Sequence, residues 1–255
     1  KVVKEDKSTC YMWLYCTGAD SPQENDIPNI VLYDYQNSRA GRCAVDFLGG
    51  YSGYLHVDGY QGYEQTQATL VGCWAHARRK FKEADVAQPK GKVGKANWAL
   101  NHIQKLYRIE TQIKDKSADE KQRIRQQQSL SLLNQLKVWL DKSIDNVPPK
   151  TALGKAITYG LNQWPKLTRY IEDGNLNIDN NRAERAVKPF VIGRKNWLFS
   201  NTAKGAKASA TLYSIIETTK ANGLTPFDYL MYLLEQIRLP EHDTEQLLPW
   251  EFAKR

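Results

Sequence analysis

From Ala75 to about Asp145 the sequence offers only helical periodicity, whereas the stretch before it reads as strands. That switch constrains the fold most: the chain must be α/β, with an all-helical block set into it. Within the block, Arg78 to Val86 is a short helix. Ala99, Ile103, Leu106 and Ile113 then recur at helical spacing along residues 92–116. Ser117-x-x-Glu120 has the spacing of a capping box and starts a further helix. Its apolar stripe is Leu133, Leu136, Leu140 and Ile144, and Val147-Pro148-Pro149 closes the block. Such stripes are packing surfaces, so no chemistry is assigned to them.

Upstream, residues 10–17 and 30–35 are aromatic and apolar runs that predict an antiparallel pair of strands. Ser38 can cap a helix from Arg39 to Leu48, which Gly49-Gly50 ends. Residues 54–58 predict a strand ending on Asp58, and residues 69–74 another, giving a mixed sheet. Downstream, residues 151–173 are helical with a break at Trp164-Pro165. A helix from about Asp179 is expected to stop at Pro189, with a hairpin over 190–199. Gly205 opens a helix with Leu212, Ile215, Ile216 and Thr219 inward, and Gly223 ends it. Thr225-Pro226 starts another, with Phe227, Leu230, Met231, Leu234 and Ile237 expected inward. The division is therefore 1–77, a helical insertion over 78–150, a return to the core over 151–203, and C-terminal helices over 204–255.

The formal net charge is +8, from 36 basic and 28 acidic residues, which favours a polyanionic partner. No run of about 18 apolar residues exists, so no transmembrane helix is expected. Cys10, Cys16, Cys43 and Cys73 form no C-x-x-C pair and read as free, buried thiols; Cys73-x-x-His76 is only half a zinc site. P-loop, Gly-x-Gly-x-x-Gly and Gly-x-Ser-x-Gly patterns are absent. His76 is a candidate base, but no nucleophile setting accompanies it.

Two acids stand out. Asp58 ends an apolar strand, where ligands gather in open α/β sheets, and Gly59-Tyr60-Gln61-Gly62-Tyr63 after it permits close backbone approach. Asp-Gly is also an ordinary turn start. Glu184 lies one helical turn from Lys188, among cations that suit a metal ion meeting a phosphate. Asn181-x-x-Glu184 also has capping-box spacing. Lys188, Arg194 and Lys195, and the run Arg78-Arg79-Lys80, are either phosphate contacts or solvated charge.

Several ordered motifs carry a resemblance. They are Asp58-Gly59-Tyr60-Gln61-Gly62-Tyr63, residues 72–81, residues 179–186, and Ile192 to Phe199. Tyr213 to Thr218, Asn222-Gly223-Leu224 and Leu248-Pro249-Trp250 complete the set. Together they resemble the insertion-sequence sixty-six family of bacterial transposases over nearly the whole chain. The resemblance implies a ribonuclease-H-like mixed sheet carrying a triad of two Asp and one Glu. Asp58 would be the second Asp and Glu184 the Glu, together holding two Mg2+ ions, or Mn2+ in their place. The implied activity is cleavage of transposon-end DNA, then attack of the freed 3′-hydroxyl on target DNA. Double-stranded DNA would meet Arg78, Arg79, Lys80, Arg182, Arg185, Lys188, Arg194, Lys195 and Trp197. A homo-oligomer on DNA, accessory transposition proteins and a bacterial cytoplasmic location are also implied.

One departure stands. The family's first Asp lies in an Asp-Glu-Thr motif that this sequence lacks, and it is expected to precede Lys1. Asp34, on the second strand, matches no catalytic position of the family. The other readings are a non-catalytic DNA-binding or assembly module and a ribonuclease-H-like nuclease.

Overall fold

The computed structural model describes residues 9–18, 28–88, 94–197, 200–241 and 243–254. The first elements are β1 (Tyr11–Cys16), β2 (Val31–Gln36), α1 (Gly41–Leu48), β3 (Tyr54–Val57) and β4 (Thr69–Gly72). The central helices are α2 (Trp74–Val86), α3 (Lys95–Gln112), α4 (Ala118–Ile124), α5 (Leu130–Ile144), α6 (Ala152–Asn162) and α7 (Trp164–Thr168). The last are α8 (Asn181–Trp197), α9 (Ala203–Ala221), α10 (Pro226–Gln236) and α11 (Pro249–Phe252). A π-helical turn, Arg125–Ser129, joins α4 to α5. The chain is thus mixed α/β, mostly helical with small sheets. It divides into two compact units, residues 1–43 with 181–255, and residues 44–180.

In the first unit β1 and β2 pair antiparallel, with Cys16 opposite Val31 and Tyr11 opposite Gln36. Val31, Tyr33 and Tyr35 of β2 are buried with Cys10, Phe190, Ala206 and Ala210. The small residues Ala206 and Ala210 let α9 lie close against β2. One and two turns further along, Ser214 and Thr218 meet the strand's outer edge. Val31 N–H donates to Thr218 Oγ1 at 3.0 Å, and the same hydroxyl donates to Val31 O at 2.9 Å. Tyr33 N–H donates to Ser214 Oγ at 2.8 Å. Asn29 and Asn222 extend the seam, each donating its side-chain amide to a backbone carbonyl opposite. Helix hydroxyls thereby close a strand edge that would otherwise expose unpaired backbone groups. The end of α9 is a Schellman motif: Leu224 N–H reaches Thr219 O, Gly223 N–H reaches Lys220 O, and Gly223 has φ +74.

In the second unit β3 and β4 pair parallel, with His56 opposite Val71. Its core joins Val71, Trp74, Phe81, Ile103, Leu106, Leu136, Leu140 and Tyr170. The expected stripes of the helical block account for most of it: Ala99, Ile103, Leu106, Ile113, Leu133, Leu136 and Leu140 are all buried. The capping box at Ser117 and Glu120 forms as the spacing predicts. At the π-helical turn the buried Arg125 forks onto Glu110, with contacts of 3.0 and 2.6 Å, and donates to the carbonyls of Tyr170 and Asp173. Gln122 and Gln126 donate to the carbonyls of Glu172 and Ile171. The helical block thus satisfies the carbonyls left over where the turn Arg169–Ile171 ends.

Several expectations need correction. The described strands do not join in one mixed sheet; they form two separate pairs. The outer edge of β2 is taken by α9, so that pair cannot grow on that side. Trp74 is not the end of a strand but the first residue of α2, its indole N–H donating to Leu167 O at 2.7 Å. The α8 helix does not stop at Pro189 but runs through it to Trp197, so no hairpin begins at Phe190; Leu198 and Phe199 lie outside the described residues. An internal proline costs about 3 kcal/mol in an isolated helix. Here the Tyr33 hydroxyl donates to Ala186 O in the turn that Pro189 disturbs. Phe190 is buried against the rings of Tyr33 and Tyr213, at 5.9 and 5.3 Å. Leu212 does not face inward on α9; it is exposed, because the close approach to β2 selects Ala206, Ala210 and Thr218 for the inner face. On α10, Phe227, Met231, Leu234 and Ile237 are exposed, and Tyr229 is the buried residue.

Candidate active site and nucleic-acid surface

In the second unit, β3 delivers Asp58 immediately after the buried Val57, at the C-terminal end of the parallel pair. The carboxylate is partly used by the turn: Oδ1 accepts the Tyr60 N–H at 3.0 Å. The Tyr159 hydroxyl donates to the Asp58 carbonyl at 3.2 Å. Burial, then the nearby Cys73 thiol and the Asp58 charge, push that hydroxyl up to about 12. Gly59 has φ +90, and a Cβ there would lie 3.1 Å from the Tyr159 hydroxyl, so the turn requires glycine. The turn reading and the ligand reading of Asp58 are therefore compatible. Oδ1 fixes the group, while Oδ2 accepts nothing from the described residues.

His56, which the sequence reading passed over, lies on the same side of β3 as Asp58 by the two-residue strand repeat. Both of its ring nitrogens are buried and make no hydrogen bond. Burial pushes its pKa down to about 4, with Arg125 acting the same way and Asp179 opposing. The alternation Tyr-Leu-His-Val-Asp was the available signal. Cys73 is buried and its sulfur accepts the Asn180 N–H at 3.3 Å; burial raises its thiol pKa. Asp179 accepts the Tyr107 hydroxyl at 2.9 Å. His76 sits in the first turn of α2. Arg78, Arg79 and Lys80 are exposed on α2 between the buried Ala77 and Phe81, and Lys80 lies 3.6 Å from Glu83.

In the first unit, α8 carries Glu184, half-buried in the first turn, where the helix dipole favours an acid. With Asn181 the first helical residue, Glu184 falls one place beyond the capping-box position. Because the helix continues past Pro189, Arg185, Lys188, Ile192, Lys195 and Asn196 fall on one side, and all are exposed. The opposite side holds Ala186 and Phe190. Arg182 and Arg194 lie off this stripe and are half-buried. Arg182 is close enough to Cys16 to oppose the burial that raises that thiol to about 11. The side chain of Trp197 lies outside the described residues. Asp34 accepts the Gln36 side-chain amide at 2.8 Å. Asp58 and Glu184 thus belong to different units. Among the described residues no group of three or more His, Cys, Asp or Glu gathers a metal site, and no helix is long and apolar enough to cross a membrane.

The described residues thus form a mixed α/β protein, with an acid at the end of a parallel strand pair in one unit and an acid on a helix with a basic outer stripe in the other. Residues 1–208 match the family described as "Transposase IS66 family", and residues 214–250 match the "IS66 C-terminal element". The chain belongs to the IS66 family of transposases. Its relatives include three proteins of Sinorhizobium fredii (strain NBRC 101917 / NGR234). Uncharacterized protein y4qI is 32% identical over 255 residues, covering 95% of this chain and 47% of the relative. Uncharacterized protein y4jD is 33% identical, covering 95% and 49%, and y4hP is 32% identical, covering 97% and 48%. The chain therefore spans about half the length of the curated relatives it matches. No solved structure matches.

Proposed function

We propose that this chain is the catalytic region of a DNA transposase with a ribonuclease-H-like core, in which Asp58 and Glu184 are metal ligands. The observation that carries the reading is Asp58 itself. It sits in the family-matched region at the end of a parallel strand, one oxygen fixed by the turn and the other accepting nothing from the described residues. A carboxylate so held suits Mg2+, which keeps several waters and takes one or two carboxylates plus phosphate oxygens. It does not need a cluster of three or more protein ligands. The outer edges of β1 and β3 each pair with no described strand.

Bound Mg2+ would supply Lewis-acid activation of a phosphodiester and of the attacking oxygen. The residues of the chain do the remaining work. Arg185, Lys188 and Lys195 present positive charge along one side of α8, where it meets successive backbone phosphates. Arg78 and Arg79 add exposed cations on α2. Tyr159 and Gly59 keep the Asp58 turn in place. Double-stranded DNA of transposon ends and target is the substrate in this reading, and accessory proteins acting alongside the transposase remain consistent with it.

The test uses the full-length protein, labelled terminal-repeat DNA and Mg2+. Asp58→Asn and Glu184→Gln are each expected to lower strand cleavage by at least about 100-fold with DNA binding retained. Activity intact in both variants rejects the assignment. Cleavage without joined strands indicates a nuclease, and DNA binding indifferent to Mg2+ with no cleavage indicates an assembly module.

A further inference from the structure

The α10 helix is apolar on both sides. Tyr229 is buried, its hydroxyl donating to Leu247 O at 2.7 Å and its ring meeting Phe252 at 5.5 Å. On the side away from Tyr229 lie Phe227, Met231 and Leu234, flanked by Ile237, with 71%, 46%, 56% and 47% of their surface exposed. Among the eleven residues Pro226–Gln236 only Asp228, Glu235 and Gln236 are polar or charged beyond the tyrosine hydroxyls. A helix with apolar residues on every side is ordinarily a buried helix. Here one side is covered by the C-terminal segment and the other by none of the described residues.

The spacing on the open side specifies what fits. Phe227, Met231 and Leu234 are separated by four and three residues, the alternation of a heptad seam, and Arg238 follows four residues on, in the turn just past the end of α10. Laid antiparallel on itself about the midpoint of Met231 and Leu234, the seam is self-complementary. Met231 faces Leu234 of the other copy in both directions, and Phe227 faces Arg238. That register also brings Asp228 near Arg238 of the opposite copy, and neither residue makes an ion pair with any described residue. A parallel arrangement would oppose Arg238 to itself. The four apolar side chains expose on the order of 400 Å² per copy, more than solitary surface hydrophobes need and below the roughly 800 Å² per partner of a standard interface. The stripe lies within the stretch matching the C-terminal element.

We propose that this face of α10 is a self-association surface, which joins two copies of the chain antiparallel about a two-fold axis, with Met231 and Leu234 at its centre. It does not depend on the catalytic reading. Sedimentation equilibrium of the chain from about 1 to about 100 μM should show a reversible monomer–dimer equilibrium, the strength expected of a small interface. Met231→Glu should weaken it at least about tenfold with the circular dichroism unchanged, because the site is exposed. Asp228→Arg should weaken it, and Asp228→Arg with Arg238→Asp should restore it. Monomer at every concentration overturns the proposal. So does a dimer that is unaffected by Met231→Glu, or a charge swap that fails to rescue.

Discussion

Replacing Thr218 with valine keeps the side-chain shape and removes one oxygen. That oxygen accepts the Val31 N–H and donates to the Val31 carbonyl, at 3.0 and 2.9 Å, in a place where Thr218 is 6% exposed. Thr218→Val therefore leaves a donor and an acceptor on the β2 edge without partners or water. Each unmet buried backbone group costs about 1–3 kcal/mol, so the expected loss is about 2–6 kcal/mol. Thr218→Ser keeps the hydroxyl and loses one methyl group, a change of about 1 kcal/mol. The order Thr, then Ser, then Val separates a hydrogen-bond role from a packing role, because valine packs as well as threonine. Urea unfolding of the three proteins measures the difference, and amide exchange at Val31 and Tyr33 locates it. If valine were as stable as threonine within about 0.5 kcal/mol, or serine worse than valine, the edge-closing account would be wrong.

Other perturbations probe the second unit. His56 binds a proton only near pH 4 in the fold but near 6.5 when unfolded, so the unfolded state binds more protons between these values. Stability should fall as pH drops from about 6.5 to about 4, by up to about 3 kcal/mol, and His56→Gln should flatten a urea midpoint-versus-pH curve over that window. Arg125→Met should cost about 3–5 kcal/mol by stranding Glu110 and two carbonyls, and Arg125→Met with Glu110→Leu should recover part of it, as read by thermal unfolding.

The sequence alone determined the features that local chemistry decides. The capping box at Ser117, the glycine ends at Gly49-Gly50 and Gly223, and the buried stripes of the helical block follow from spacing within a few residues. The Asp58 turn was equally legible, because Asp-Gly at a strand end has few conformations. The family followed from ordered motifs, which need no three-dimensional information. Only the tertiary structure decided whether a local preference survived contact with the rest of the chain. Pro189 should end a helix, yet Tyr33 and Phe190 sustain it, and that continuation aligns Arg185, Lys188 and Lys195 on one side. Ser214 and Thr218 read as weak helix formers, and their purpose appears only against β2, more than 180 residues away in sequence. Periodicity marked the stripe of α10 as apolar, but it carries no information on whether the chain itself covers that stripe. Burial is a property of what lies opposite, and a sequence pattern records only the face that needs it.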